Sequence, residues 1–469
     1  MKKTRKIKST IAIIVFISTV CCYFLLQNNF IYTHTLGKVS YNYQHLGTDN
    51  NHVISPVKKP YEKLTQKNMY RWDALLYQTI KDSSYVSNEF YNNERYAFYP
   101  LFPMVWKASC INNAWIFIFC YALFIIGIIL MSEYLDEKNE ESYFTFAIAL
   151  LSPSAVLFYL PYAECLFILT FAIAILGLFK QKYWLFFLGA LLFTLTRPAS
   201  LIFAFALLAV DIRYLIAHRN VGYFIKQLTL KILPFAIGFS LVTFMQYLYS
   251  GSWTAYSDAL LFWPSESGYF NKIVDWSIEG FGMTAFAIFF LSFPCLLYSL
   301  IWGVKAFSKR SRITTPISLF KGDADWIKEY VFNASIAFTA GNIVYTFLTA
   351  GGSINGFYRY TMCVPTFYVI LFMLQSVIKH KLLWHKLLLF TVCFIAMVIS
   401  FYFIVYGSGR FRFAYSGLYL LILFLIYSLI QQQLSYKIRW IVLICIGICA
   451  IVWHTYLFNM YITDAWLFT

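Results

Sequence analysis

Residues 113–132 read NAWIFIFCYALFIIGIILMS, a run of twenty residues without a charged side chain. An α-helix of this length extends about 30 Å, which matches the hydrocarbon thickness of a bilayer. A strand of a membrane barrel would instead alternate apolar and polar residues over about ten positions. The stretch therefore predicts a membrane-spanning helix, and comparable apolar runs recur from Thr10 to the C-terminal region.

The overall composition extends this interpretation to the whole chain. Of 469 residues, 60% are hydrophobic and 12% are charged, whereas soluble domains carry roughly 25% charged residues. The mean hydropathy of +0.64 is also inconsistent with a protein surrounded by water. We predict an all-α integral membrane protein that forms a single polytopic membrane domain over residues 1–469.

Apolar runs between polar breaks predict about thirteen transmembrane helices. The fifth and sixth runs meet at Thr196-Arg197-Pro198, so they form either two short spans or one kinked helix. The predicted spans are 10–27, 113–132, 143–160, 163–179, 184–197, 198–214, 232–250, 282–303, 330–350, 358–378, 387–406, 414–431 and 440–458.

Basic residues predict the orientation. The chain opens with Lys2, Lys3, Arg5, Lys6 and Lys8, which places the N-terminus in the cytoplasm. Loops on that side then hold 23 of the 37 Lys and Arg residues, and nine of the remaining 14 lie in the long segment 28–112. The net charge of +16 thus reflects membrane topology, and no nucleic-acid partner is predicted. The external loops lack Asn-x-Ser/Thr acceptors, which favours a bacterial inner membrane.

Segment 28–112 is too long for a simple connection between spans, and its aromatic residues are interspersed with Lys, Asn and Glu. This pattern is typical of amphipathic helices on a membrane surface. We therefore expect an external catalytic loop here. Within it, Asp73 follows Arg71 and Trp72, and a carboxylate in such a partly desolvated position can accept a proton from a substrate hydroxyl. Composition alone favours a simpler role, a helix-start charge with Trp72 as an interfacial anchor.

Five short blocks of sequence stand out for their order and spacing: Arg71-Trp72-Asp73, the run 96–103 around Tyr99, the run 152–167 around Glu164, Thr196-Arg197-Pro198, and Phe357-Tyr358-Arg359-Tyr360. Together they resemble the PIG-V family, the second mannosyltransferases of glycosylphosphatidylinositol assembly and their bacterial relatives. The resemblance is strong over 70–205 and moderate over 355–370, and it departs from the family at Pro198-Ala199, where we expect a glycine.

This resemblance implies a GT-C glycosyltransferase bundle that uses a polyprenyl-phosphate-linked sugar, with Asp73 as the catalytic carboxylate. Four arginines at predicted outer positions suit a phosphate, because the guanidinium binds two oxygens at once: Arg197, Arg359, Arg410 and Arg412. Lipid-headgroup contact is the alternative, and it is equally well supported for the last two. Supporting roles are expected for Arg71, Trp72, Tyr99, Glu164 and Tyr360, although Glu164 also suits a helix start.

No cofactor or metal site is predicted. The pair Asp323 and Asp325 resembles a metal-binding Asp-x-Asp motif, but it lies on the predicted cytoplasmic side among lysines. Three histidines of the external loop, His34, His45 and His52, lack ligand spacing, and the ten cysteines form no disulfide framework.

The sequence thus predicts an inverting mannosyltransferase that acts on the external face of the membrane. It would transfer mannose from a polyprenyl-phosphate donor to a hydroxyl of a lipid-linked, glycan or protein acceptor, with membrane lipids as further partners. Two alternatives remain open. One is a transporter or lipid flippase, whose ionisable residues would lie near the bilayer midplane. The other is a GT-C transferase that uses a different lipid-linked sugar.

Overall fold

The fold is given by a computed structural model, which describes residues 2–27, 42–44, 55–57, 62–86, 93–136, 141–260, 281–307, 324–349, 357–378, 383–405 and 416–463. Helices make up most of these residues. A π-helical turn, Ala287–Ser292, joins the helix Phe281–Phe286 to the helix Phe293–Phe307. The helices are α1 (Lys2–Leu26), α2 (Asp73–Ser83), α3 (Leu101–Ala108), α4 (Ile116–Leu135), α5 (Glu141–Leu150), α6 (Glu164–Phe179), α7 (Tyr183–Thr196), α8 (Ala199–His218), α9 (Val221–Ser250), α10 (Ala255–Leu260), α11 (Phe281–Phe286), α12 (Phe293–Phe307), α13 (Ala324–Thr349), α14 (Phe357–Met362), α15 (Pro365–Ile378), α16 (Leu383–Val405), α17 (Ser416–Ile430) and α18 (Tyr436–Ile462).

Two short strands lie in the first long segment. The strands β1 (Asn42–Gln44) and β2 (Ser55–Val57) pair antiparallel, with Tyr43 opposite Pro56. The short helices α2 and α3 of the same segment each bury one apolar face against the bundle. The amphipathic helices predicted for segment 28–112 are thus found in its later part, as α2 and α3. Their position on a membrane surface stays a prediction.

Five stretches of the described chain are long and apolar enough to cross a bilayer: Thr4–Leu26, Asn113–Leu135, Val221–Ser250, Thr284–Val304 and Tyr436–Ile462. Five shorter apolar helices accompany them. The outer faces are apolar, as on α18, where Ile441, Ile444 and Ile448 are more than half exposed. Charged groups such as Glu164 and Lys231 are buried instead. This distribution is that of a helical membrane protein; the count of thirteen spans stays a prediction.

Helices α7 and α8 are separate, so the single kinked helix considered for 184–214 is not what the structure shows. The Tyr183 hydroxyl donates a hydrogen bond to the Leu230 carbonyl (3.0 Å), and Gly238 packs against Thr194. These contacts show that α7 and α9 run in the same direction. Helix α8, which connects them, therefore runs in the opposite direction. Arg197, with extended backbone (φ −154°, ψ 146°), forms the turn between α7 and α8.

The predicted continuous span 143–160 is wrong in its bounds. Helix α5 ends at Leu150, and residues 151–163 form a fully buried irregular segment with one 3₁₀ turn, Ala155–Phe158. Irregular backbone is tolerated at this depth only where protein groups satisfy it. Here the imidazole Nε2 of His454 lies 2.7 Å from the carbonyl oxygen of Ser152. The predicted span 358–378 is likewise divided, because α14 ends at Met362 before Pro365 starts α15.

Charged side chains gather at the two ends of the bundle. At one end Arg5 pairs with Glu133, and Lys231 binds Asp211 (2.6 Å). The residues Asp73, Glu164, Arg197 and Arg359 meet at the other end. Arg197 and Asp211 are separated by most of α8, which is roughly 20 Å at 1.5 Å per residue.

The close packing of α6 against α7 gives a stability prediction. A Cβ at Gly189 would lie 2.3 Å from the backbone nitrogen of Ala174, and that backbone cannot move aside without separating the helices. We expect Gly189→Ala to lower the free energy of unfolding by about 1–3 kcal/mol in an SDS titration of the detergent-solubilised protein. In the control, Gly341→Ala on α13, nothing lies within 4 Å of the added Cβ, so we expect no loss. Equal stability of the two variants would contradict the packing.

Candidate active site

The loop before α2 brings a carboxylate to the end of the bundle. Asp73 is the first residue of α2, and Trp72 precedes it with a positive φ of 54°, a conformation that L-residues rarely adopt. The hydroxyl of Tyr461, near the end of α18, fixes this turn, since it donates to the Met69 carbonyl (2.9 Å) and accepts from the Arg71 amide (3.0 Å). Strained backbone that is held on both sides is typical of functional sites.

Four charged residues then form a continuous ion-pair cluster. Arg359 on α14 lies between two carboxylates, with Nη2 2.6 Å from Asp73 Oδ2 and Nε 2.5 Å from Glu164 Oε1. Arg197 Nη1 lies 2.5 Å from the same Glu164 oxygen. Two arginines and two carboxylates give the cluster a net charge of zero. We call these residues, Asp73, Glu164, Arg197 and Arg359, the charge cluster.

Burial differs across the charge cluster. The Glu164 side chain is 0% exposed, whereas the side chain of Asp73 is 19% exposed. The other carboxylate oxygen of Glu164, Oε2, is buried and has no hydrogen-bond partner among the described residues. Glu164 therefore anchors both arginines from beneath, and Asp73 lies on the side that a substrate can reach.

Aromatic rings surround the charges. The guanidinium carbon of Arg359 lies 5.0 Å from the ring centroid of Tyr162, and that of Arg197 lies 5.9 Å from the centroid of Phe167. Such cation–π contacts strengthen when water is excluded. They hold each guanidinium plane against the irregular segment and the start of α6.

Tyr77 is a member of this site that the sequence did not single out. It lies one turn after Asp73 on the same face of α2, and its ring packs edge-on against Phe98 and Phe102. Burial raises the pKa of Tyr77 well above its ordinary value, and the positive charge of Arg197 partly opposes this. Its hydroxyl thus stays protonated beside the charge cluster. The i, i+4 spacing from Asp73 was the available sequence signal.

Tyr99 and Tyr360 lie on the border of the site. Tyr99 is 1% exposed, its ring meets that of Tyr256 edge-on at 5.7 Å, and its hydroxyl has no hydrogen-bond partner among the residues described. Burial raises the pKa of Tyr99, so this hydroxyl is also neutral. The Tyr360 side chain is largely exposed, and its carbonyl accepts a hydrogen bond from Asn342 Nδ2 (2.6 Å).

The remaining predicted residues have other positions. Arg71 and Trp72 are partly buried in the turn before α2, and they directly precede Asp73 of the charge cluster. Arg410 and Arg412 lie outside the described residues, as do Asp323 and the three histidines of the first loop. Within the described part of the chain, no group of three His, Cys, Asp or Glu side chains is placed to hold a metal ion.

This arrangement has the parts needed for proton transfer beside an anion. Asp73 is a partly exposed carboxylate, and two arginines within bonding distance of Glu164 offer further N–H donors to an anion. On α2, the neutral hydroxyl of Tyr77 borders the site. The site can thus take up a proton at Asp73 and stabilise negative charge at the arginines.

No family model, no curated protein and no solved structure matches this chain.

Proposed function

We propose that the protein is an inverting glycosyltransferase that moves mannose from a polyprenyl-phosphate donor to a hydroxyl acceptor on the external membrane face. The observation that carries the proposal is the charge cluster. Asp73 and Arg359 are far apart in the sequence, yet their side chains lie 2.6 Å apart at one end of a helical bundle. The same four positions belong to the blocks that resemble the PIG-V family, so sequence resemblance and geometry support one site.

The proposed reaction uses the charge cluster in a simple way. The donor phosphodiester lies against Arg197 and Arg359, whose planar forks match phosphate oxygens. Asp73 accepts the proton of the acceptor hydroxyl as its oxygen attacks the anomeric carbon from the side opposite the phosphate. The configuration therefore inverts. The polyprenyl phosphate leaves as a phosphomonoester without protonation by the protein, so positive charge at the departing phosphate is the useful contribution.

The position of the ionisable residues also supports a transferase over a transporter or lipid flippase. Transporters hold their coupling residues near the bilayer midplane, on broken helices between two repeats. The charge cluster instead lies where α6 begins and α7 ends, at the end of the bundle. Of the two divided spans, the irregular segment 151–163 carries no charged residue, and Arg359 lies on α14 at this same end of the bundle.

The decisive experiment is a transfer assay. Purified protein is incubated with polyprenyl-phosphate-mannose and a lipid extract of its own cell, and the products are identified by mass spectrometry. We expect a mannosylated acceptor. Transfer of glucose or another sugar from its polyprenyl phosphate, without transfer of mannose, would support the alternative GT-C enzyme. No transfer from any such donor would reject the proposal and favour a transporter.

The proposed orientation predicts which cysteine an impermeant maleimide labels in intact cells. The native Cys110 is exposed before α4, on the side of the bundle that carries the charge cluster, so we expect it to react from outside. Lys182→Cys, in the exposed turn between α6 and α7, should react only after the membrane is permeabilised. The background for both tests lacks the exposed thiols Cys21, Cys445 and Cys449, and the background for Lys182→Cys also lacks Cys110. The reverse labelling pattern would place the charge cluster in the cytoplasm.

A further inference from the structure

We propose that Arg359 changes partner during the reaction, from the carboxylate of Asp73 to the departing phosphate, and that protonation of Asp73 triggers this exchange. The inference rests on the proposed function and concerns the coupling between its two halves. It assigns to the Asp73–Arg359 ion pair a role beyond holding the site together.

The geometry provides for such an exchange. The Nε edge of Arg359 is bound to the fully buried Glu164 at 2.5 Å. Its terminal Nη2 is bound to Asp73, which lies on the exposed side. Release of Asp73 therefore makes Nη2 available to another anion while Nε stays bound to Glu164. Because the ring of Tyr162 lies against Arg359 at 5.0 Å, the planar group needs little reorientation to meet a new anion.

The charge balance of the reaction gives the exchange its direction. The acceptor oxygen bonds to the anomeric carbon, and the bond from that carbon to the phosphate oxygen breaks with its electron pair left on the phosphate. The acceptor proton passes to a carboxylate oxygen of Asp73. The phosphate thus changes from one negative charge to two while Asp73 changes from one to none. Arg359 lies next to the group that loses the charge, so its attraction shifts to the group that gains it.

Of the charged groups around Asp73, Arg359 is bound directly to its carboxylate, and Arg71 lies two residues away in the turn held by Tyr461. The charge of Asp73 also acts on three tyrosine hydroxyls: Tyr77 on α2, Tyr162 in the irregular segment and Tyr461 on α18. Arg197 is bound to Glu164. Loss of the Asp73 charge therefore removes one of the two carboxylates that bind Arg359 within the charge cluster.

The exchange can be tested by phosphate binding without any catalysis. Asp73→Asn imitates the protonated carboxyl, and farnesyl phosphate is a soluble polyprenyl phosphate with farnesol as its uncharged control. For the full-length protein in detergent, we expect calorimetry to show about tenfold tighter binding of farnesyl phosphate to Asp73→Asn than to the wild type, a typical coupling within one ion-pair network. Farnesol should bind equally to both. Asp73→Ser, which removes the charge with a different shape, should also bind farnesyl phosphate more tightly.

Two matched variants separate partner exchange from a general gain of positive charge. Asp82→Asn removes a carboxylate from the same helix, but this one is exposed and pairs with Lys81 at 2.8 Å, so farnesyl phosphate affinity should stay within about twofold of wild type. Arg359→Ala should abolish the effect, so that Asp73→Asn/Arg359→Ala binds no more tightly than Arg359→Ala alone. The inference fails if Asp73→Asn binds no more tightly than Asp82→Asn, or if the gain persists without Arg359.

These outcomes are distinct from failure of the proposed function. If the wild type transfers mannose but Asp73→Asn shows no gain in phosphate affinity, only the exchange is rejected. If the wild type neither transfers any polyprenyl-linked sugar nor binds farnesyl phosphate, the function and the exchange are both rejected.

Discussion

Asp73→Asn should lower the turnover of mannose transfer by about 10² to 10⁴, because general-base assistance typically contributes that much and Asn cannot accept a proton at neutral pH. The side chain keeps its size, and Arg359 keeps its bond to Glu164, so the protein should elute as wild type in detergent. The measurement is single-turnover transfer from saturating polyprenyl-phosphate-mannose, which separates the chemical step from donor binding.

The longer carboxylate provides the complementary variant. Asp73→Glu retains a proton acceptor but displaces it by one methylene, so it should recover only part of the rate. If Asp73 served only as the negative charge at the start of α2, Asn would replace it at a cost of a few tenths of a kcal/mol to about 1 kcal/mol in stability and both variants would stay active. Near-normal turnover by folded Asp73→Asn would thus reject its role as the base.

Glu164→Gln should produce the largest loss of stability among the variants considered. Two arginines share the buried oxygen Oε1. Loss of its charge leaves Asp73, which is bound to Arg359, as the one remaining carboxylate of the charge cluster, so the nearly dry site keeps an excess positive charge. Removal of one partner from a buried ion pair typically costs about 3–5 kcal/mol. We expect this decrease in the free energy of unfolding, measured by SDS titration in mixed micelles, together with loss of transfer.

A matched glutamate at the opposite end of the bundle gives the control. Glu133 pairs with Arg5, whose side chain is 49% exposed and can turn to water when its partner is lost. Glu133→Gln should therefore cost less than Glu164→Gln, although Glu133 itself is largely buried. If the two Gln variants were equally stable, Glu164 would not be the anchor of the charge cluster.

The apolar runs were sufficient to predict that the chain forms helices. They were not sufficient to predict where some of these helices end. Residues 151–160 contain Ser152-Pro153-Ser154, a local signal for a helix end, but the apolar residues that follow resemble the continuation of a span. The structure leaves them irregular. The backbone groups there are satisfied by contacts distant in sequence, such as His454 with the Ser152 carbonyl, which is 302 residues away. A sequence pattern records helical periodicity but does not record a partner that distant. The division at Arg197-Pro198 was visible in the sequence, which left open whether two spans reverse direction there or one kinked helix continues.

For the site, the sequence indicated candidate residues without their pairing. The alternation of predicted spans placed Asp73, Glu164, Arg197 and Arg359 on one side, and the structure brings these four into contact. Their partners could not be deduced, because an arginine at a membrane rim satisfies its charge equally with a lipid headgroup or with a carboxylate. Tyr77 was overlooked because a tyrosine on an amphipathic helix ordinarily serves as packing. The catalytic assignment itself stays a prediction until transfer is measured.

The hydroxyl of Tyr461 has a consequence for how the protein is made. It binds the turn that holds Asp73 across 390 residues of sequence. At synthesis rates of about 5–20 residues per second, the ribosome needs roughly 20–80 s between these two points. During that interval the nascent chain carries its reactive carboxylate on a turn that nothing from α18 yet restrains. Under the proposed function, the protein would become competent only when its last described helix inserts, and a ribosome stalled before α18 would leave an inactive chain in the membrane.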